Sequence, residues 1–175
     1  MRLAGLCGWS GSGKTTLLAR LIPELISRGY SVSTIKHAHH GFDIDKPGKD
    51  SHVHREAGAS EVLVASSRRW ALIHELRDQQ EPSLADLLSR LTPVHLVLVE
   101  GFKRDVHPKI EVHRAVLGKP MLQPEDACIM AIASDAPLDV PVPVLDLNDP
   151  AGIADLVLRI AIPVTDFQAA SAGRS

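Results

Sequence analysis

The chain has 175 residues, is 45% apolar and carries a formal net charge of −2. That length predicts one domain with a sizeable core. The near-neutral charge gives no electrostatic ground for a nucleic-acid or membrane-surface partner, and the apolar runs are strand-sized, too short to cross a bilayer. The first residues, Met1–Cys7, lead directly into a glycine-rich loop at Gly8. Cleavage of a signal peptide would destroy that loop, so an unexported, cytoplasmic protein is expected. Cys7 and Cys128 both fall in apolar runs and read as small buried hydrophobes rather than as a disulfide.

In chain order, Leu3–Cys7 reads as a buried strand ending at the glycine-rich turn. From Lys14 the pattern is helical, with Leu17, Leu18, Leu21, Ile22, Leu25 and Ile26 at three- and four-residue steps, Pro23 as a source of a kink and Gly29 as the C-terminal cap. Ser31–Lys36 is β-branched and alternating, the second strand. A polar loop, His37–Asp50, follows, of a length that is usually functional. Ser51 is the expected cap of a short helix over His52–Ala57. Glu61–Ala65 and Trp70–His74 form a hairpin through Ser66–Arg69, and Ser83–Leu91 an amphipathic helix.

Val94–Val99 is the strongest buried strand of the middle of the chain, closed by Glu100-Gly101; Lys109–His113, Cys128–Ala133 and Val142–Leu145 read as further strands. Asp149 followed by Pro150 opens a last helix that buries Ile153, Leu156, Val157 and Ile160. Strands alternating with helices indicate an α/β fold of the P-loop NTPase kind, a mostly parallel sheet covered by helices on both faces, with the hairpin making it mixed. The expected organisation is a single nucleotide-binding domain over 1–163 and a disordered tail over 164–175.

Gly8-Trp9-Ser10-Gly11-Ser12-Gly13-Lys14-Thr15 matches G-x-x-x-x-G-K-[S/T] in full, between a strand and a helix. The glycines let backbone N–H groups turn inward around phosphate oxygens, and the helix that follows offers its free N–H groups and positive dipole end. Lys14 would reach the β- and γ-phosphates, Thr15 would ligate Mg²⁺ and Thr16 would contact the α-phosphate. Trp9 either stacks on a ligand or covers the loop. A second acid near magnesium is expected at the end of a buried strand, and Glu100 after Leu96–Val99 supplies it. Glu100 would contact the metal through water or orient an attacking water. Asp43 and Asp45 are competing magnesium candidates.

His37, His39, His40, His52 and His54 crowd one stretch together with Lys36, Lys46 and Lys49. Three readings stay open: a transition-metal site, an anion-binding surface that Arg55, Arg68, Arg69 and Arg104 would extend, or a solvated loop. For the base, Asp135 after Ala133-Ser134 is placed to accept from guanine N1 and N2, or is a plain loop acid.

Taken together, these stretches resemble the GTP-binding adapter family of molybdenum-cofactor biosynthesis (MobB). The resemblance lies in the phosphate loop through Thr16, Lys36-His37-Ala38-His39-His40, Phe42–Ser51, Arg55–Ala59, Val99-Glu100-Gly101-Phe102-Lys103, Pro108–Val112 and Ala133-Ser134-Asp135. The histidine loop with Phe42-Asp43-Ile44-Asp45 and the Glu100–Lys103 segment are its most specific parts. Before Ala57, where arginine-rich character is expected, this chain has His52 and His54. The resemblance implies GTP and Mg²⁺ as ligands, molybdopterin as a further one, a homodimer, weak GTP hydrolysis, and a partner guanylyltransferase that attaches GMP to molybdopterin. Two other functions remain on the residues alone: a small-metabolite kinase using Arg68, Arg69 and Arg104, and a metal-insertion GTPase using the histidines of His37–His54.

Overall fold

The computed structural model of the protein describes residues 1–38 and 41–173. His39 and His40, two histidines of the polar loop for which three readings are open, lie outside the described residues. The chain forms two compact units, one of residues 1–37 with 84–175 and one of residues 38–83. The expected nucleotide-binding domain over 1–163 thus spans a main unit and a smaller insert.

In the main unit the strands are β1 (Arg2–Cys7) and β2 (Val32–Lys36), then, beyond the insert, strands over Leu96–Glu100, Lys109–His113, Ile129–Ser134 and Val144–Asp146. The insert contributes β3 (Glu61–Ala65) and β4 (Trp70–His74), so those four are β5, β6, β7 and β8, and Ile162–Pro163 is β9. The sheet order is β2-β5-β1-β6-β7-β8, all parallel, with β9 antiparallel to β1. The hairpin β3–β4 does not join this sheet; it is a separate two-stranded one. What makes the main sheet mixed is β9, which pairs Pro163 with Arg2 and Ile162 with Leu3.

Period-two alternation sends successive residues to opposite faces. Ala4, Leu6, Leu96, Leu98, Ile110, Val112, Ala131 and Ala133 pack on one side against α1 (Lys14–Ser27) and the helix Pro150–Ile160. Leu3, Val97, Val99 and Ile35 pack on the other with Leu84 and Leu88 of the helix Leu84–Ser89 and with Val164 and Phe167 of the helix Val164–Ala172. With α2 (Asp50–Glu56) in the insert, these helices are α3 (Leu84–Ser89), α4 (Pro150–Ile160) and α5 (Val164–Ala172). Residues 164–172 are thus helical rather than disordered. Phe167 at 1% exposure anchors them, because an aromatic ring of that size is worth more buried than solvated.

Helix ends follow the local chemistry. Pro23 sits on the exposed side of α1, which continues through it. Tyr30 N–H donates to Leu25 O at 3.1 Å and Gly29 N–H to Ile26 O at 2.9 Å, a Schellman ending that uses the left-handed Gly29. Asp149 caps α4 by accepting from Gly152 N–H at 3.0 Å. For α2 the N-cap is Lys49, outside the turn that Ser51 was expected to cap.

Within the insert, Arg55 of α2 donates to Glu75 at 2.6 Å, to Asp45 at 2.9 Å and to Asp43 at 2.5 Å. Three carboxylates around one always-charged guanidinium are a structural hub for the loop before α2.

On the main sheet, β6 carries two buried charges, Lys109 and Glu111. Each is matched: Lys109 Nζ donates to Asp126 at 2.8 Å, and Glu111 accepts from Leu122 and Gln123 N–H, both at 2.9 Å. Nearby His107 is fully buried, with neither ring nitrogen partnered among the described residues, and lies edge-on to Phe167. A Cβ on Gly5 would stand 2.3 Å from its Nε2, so the ring occupies space that only glycine leaves. Burial, with Lys109 adding to it, pulls the imidazole from its ordinary 6.5 down to about 3. The unfolded chain takes up this proton below about 6.5 while the folded chain resists until about 3, so stability is full above that window and falls as pH drops through it. Thermal denaturation of the wild type against pH should fall more steeply between 6.5 and 3 than that of His107→Leu; parallel curves would contradict the assignment.

Candidate functional site

Because β1, β2, β5 and β7 run parallel, their carboxyl ends meet at one edge of the sheet, the edge at which open α/β sheets take their ligands. Four expected site segments arrive there together: the phosphate loop after β1, Lys36-His37 after β2, Glu100 at the end of β5, and Ser134-Asp135 at the end of β7.

The loop takes its shape from glycines at positive φ: Gly8 at 139°, Gly11 at 80° and Gly13 at 96°. At Gly8 the constraint is double. A Cβ there would stand 2.5 Å from Val112 O of β6 and 2.9 Å from Ser12 Oγ. Gly13 is the left-handed N-cap of α1, with no side-chain cap bond, which leaves the first N–H groups of the helix for a ligand. Ser12 Oγ is buried and has no partner among the described residues. Ser10, Gly11 and Thr16 lie exposed on the rim of the loop and the first turn of α1.

Lys14 folds back over the loop, donating to Trp9 O at 2.8 Å and Gly8 O at 3.1 Å. Burial pulls its ammonium below the usual lysine range while Glu100 opposes the shift. Thr15 Oγ1 donates to Glu100 Oε1 at 3.1 Å. A hydroxyl and a largely buried carboxylate side by side form an oxygen pair of the kind magnesium takes, together with phosphate and water. Lys36 Nζ stands 3.4 Å from the same carboxylate.

Trp9 covers the loop: its indole N–H donates to Pro120 O at 2.7 Å, and Lys103 and Lys119 lie over the ring at 4.9 and 5.8 Å. His37 packs against Phe102, with ring centroids 4.9 Å apart, and its N–H donates to Glu100 O at 2.9 Å. Ser134, Asp135, Ala136, Pro137, Leu145 and Asn148 are among the residues that line a cleft of about 360 Å³ beyond β7. Asp135 Oδ1 accepts from Ala115 N–H at 3.2 Å.

Two expected residues belong to the insert. Asp45, a candidate magnesium ligand, is in the insert with its carboxylate bound to Arg55, a cation already in the metal's role toward it. Lys49 is the N-cap of α2 in the same unit. Among the described residues no three His, Cys, Asp or Glu side chains gather as a metal site. Cys7, one of the expected buried hydrophobes, has its thiol pushed up to about 12 by burial and by Glu111.

One residue of the site escaped the sequence. Arg114, just past β6, donates from Nε to Ser12 O at 3.1 Å and from Nη1 to Asp135 at 3.4 Å, and lies against Gly13. It ties the phosphate loop to the segment expected to read the base. No motif marks it; only its position after a strand paired with β1 does.

Strand, glycine loop, helix and a hydroxyl–carboxylate pair at the carboxyl edge of a parallel sheet define a P-loop NTPase-like α/β protein. Residues 3–135 match the family described as MobB, "Molybdopterin guanine dinucleotide synthesis protein B", and the chain belongs to that family. It is 47% identical over 160 residues, 90% of this chain and 91% of the relative, to the molybdopterin-guanine dinucleotide biosynthesis adapter protein of Escherichia coli K12. To the adapter protein of the same name from Haemophilus influenzae it is 46% identical over 159 residues, 89% of this chain and 86% of the relative. Among solved structures, one of molybdopterin-guanine biosynthesis protein B matches with a TM-score of 0.72 at 27% identity, covering 90% of this chain and 98% of that one. A MobB homologue from Bacillus stearothermophilus matches with a TM-score of 0.63 at 25% identity, covering 90% and 95%.

Gly8→Ala should cost about 1–3 kcal/mol for the backbone conformation alone, with the contact at Val112 O added. Urea denaturation measures it, and an unchanged midpoint would mean that the loop is free to take another path.

Proposed function

We propose that this protein binds GTP with Mg²⁺ at the loop Gly8–Thr16 and serves as an adapter in molybdenum-cofactor biosynthesis, assisting a partner guanylyltransferase that attaches GMP to molybdopterin. The observation that carries the reading is the convergence of the glycine loop, Lys14, the Thr15–Glu100 pair and Asp135 on one sheet edge. The names of its relatives agree with it. Lys14 would bind the terminal phosphates, and Gly8, Ser10, Gly11, Ser12 and Gly13 would line the loop around them. Thr15 and Glu100 would hold magnesium, which supplies charge neutralisation between the phosphate groups. Asp135 and Ser134 would face the guanine from the cleft. Its carboxylate has acceptor capacity beyond the bonds from Ala115 and Arg114.

Hydrolysis would be weak. Lys14 and Glu100 are the groups proposed to act on it, and Arg114, which lies against Gly13, is engaged with Ser12 O and Asp135 rather than held in reserve for a transition state. Molybdopterin would be a further ligand, and His37, with Lys49 of the insert and His39, are proposed to serve anionic ligands. The protein is expected to act in the cytoplasm; no described helix is long and apolar enough to cross a membrane. A homodimer would cover the insert's hairpin, where Leu63, Val64, Trp70 and Leu72 are exposed on a two-stranded sheet of a kind that is marginal alone. Family membership places the adapter reading ahead of the metabolite kinase.

Calorimetric titration with GTP and ATP, each with and without Mg²⁺, tests the assignment. GTP should be preferred, Asp135→Asn should erode that preference, and Lys14→Ala should lose roughly 1.5–3 kcal/mol of affinity for either nucleotide. Equal binding of ATP would remove the guanine reading, and unchanged affinity in Lys14→Ala would remove the loop as the site.

A further inference from the structure

The Glu100 carboxylate is 9% exposed in its side chain, and a charge so placed needs compensation. Among the described residues, two side chains stand within hydrogen-bond or ion-pair distance of it. Thr15 Oγ1 lies at 3.1 Å from Oε1 and 3.4 Å from Oε2, and Lys36 Nζ lies at 3.4 Å from Oε1. Lys36 Nζ is also 3.5 Å from Thr15 Oγ1. The three groups form a triangle in which an ammonium faces the two oxygen donors expected to hold the metal. Sheet register builds this arrangement: β2 pairs with β5 so that Lys36 stands directly opposite Glu100.

We propose that Lys36 is a stand-in cation for the Thr15–Glu100 pair, which it neutralises until Mg²⁺ arrives with the nucleotide and displaces it. The inference rests on the nucleotide reading given above and adds a regulatory term to it: Lys36 sets the magnesium concentration at which the site closes on its ligand.

The chemistry follows from size and charge. The Thr15 hydroxyl and the Glu100 carboxylate would hold magnesium, which would supply charge neutralisation to the phosphates. An ammonium close to both donors repels the incoming dication and competes for the same lone pairs. Lys36 is well suited to yield, since its side chain is 59% exposed at the end of an edge strand and its four-carbon stem is flexible. Once released, the ammonium remains on the same sheet edge as the phosphate loop, where a terminal phosphate is its natural new partner.

The test is a magnesium titration of nucleotide binding by the full chain, read by calorimetry or with a fluorescent GDP and GTP pair, for wild type, Lys36→Met and Lys36→Arg. Methionine keeps the length of the side chain and removes the charge. The Mg²⁺ concentration for half-maximal enhancement of binding should fall about fivefold or more in Lys36→Met, the scale of an ordinary coupling between two ligands. Lys36→Arg should keep the wild-type requirement. Direct Mn²⁺ binding to the nucleotide-free protein should strengthen in Lys36→Met alone.

An unchanged magnesium requirement in Lys36→Met would overturn the proposal. So would an equal loss of nucleotide affinity with and without Mg²⁺, which is the behaviour of a plain phosphate contact. A wild-type chain that binds no nucleotide at any magnesium concentration would instead strike the nucleotide reading itself and take this proposal with it.

Discussion

The turn at Gly8 is the constraint on which the site depends. β1 sits between β5 and β6, and the chain leaving it must pass within contact distance of Val112 O before it can enter α1. Only a residue with no Cβ and a free choice of φ makes that passage. The same closeness aligns the loop with its surroundings. Arg114, one residue beyond β6, reaches Ser12 O and Asp135 because β6 is β1's neighbour. Glu100, at the end of β5 on the other side, reaches Thr15 because α1 starts where the loop releases it. Sheet order is thus converted into site geometry without help from any long side-chain network.

Charge explains the second level of organisation. The core tolerates ionised groups only where each is answered. Lys109 has Asp126, Glu111 has two backbone N–H groups, and Glu100 has Thr15 and Lys36. Lys14 donates to carbonyl oxygens among the described residues, and burial lowers its pKa while Glu100 partly offsets that. A cation held by carbonyl oxygens beside the uncapped N-terminus of α1 is an arrangement suited to an anion. His107 lies at the opposite extreme, a buried imidazole kept neutral by its surroundings.

Much of this arrangement was legible in the chain. The phosphate loop announced itself because its glycines are a backbone requirement, and backbone requirements leave fixed residue types at fixed spacing. Strands β1, β5 and β7 were visible as apolar runs because nearly all their residues, on both faces, are buried. What stayed hidden depended on distant packing. The tail 164–172 has little helical periodicity, yet Phe167 finds a buried place beside Leu84 and Leu88, far away in sequence. The hairpin's β-branched and aromatic residues announced strands but not which sheet they would join, since alternation says nothing of the partner. Asp45 looked like a metal ligand because an acid in a polar loop does, and only the fold brings Arg55 to it. Arg114 and Lys36 gained meaning from strand neighbours that no local pattern reveals.

The central claim is that the loop between β1 and α1 is a preorganised nucleotide site assembled from the ends of parallel strands. Backbone amide hydrogen exchange of the protein with and without GTP·Mg²⁺ tests it most directly. Protection should rise in Gly8–Thr16, with a smaller rise in Lys36–His37, Glu100–Phe102 and Ser134–Ala136, while the hairpin β3–β4 stays unchanged. Protection confined to the hairpin or absent from the loop would contradict the claim.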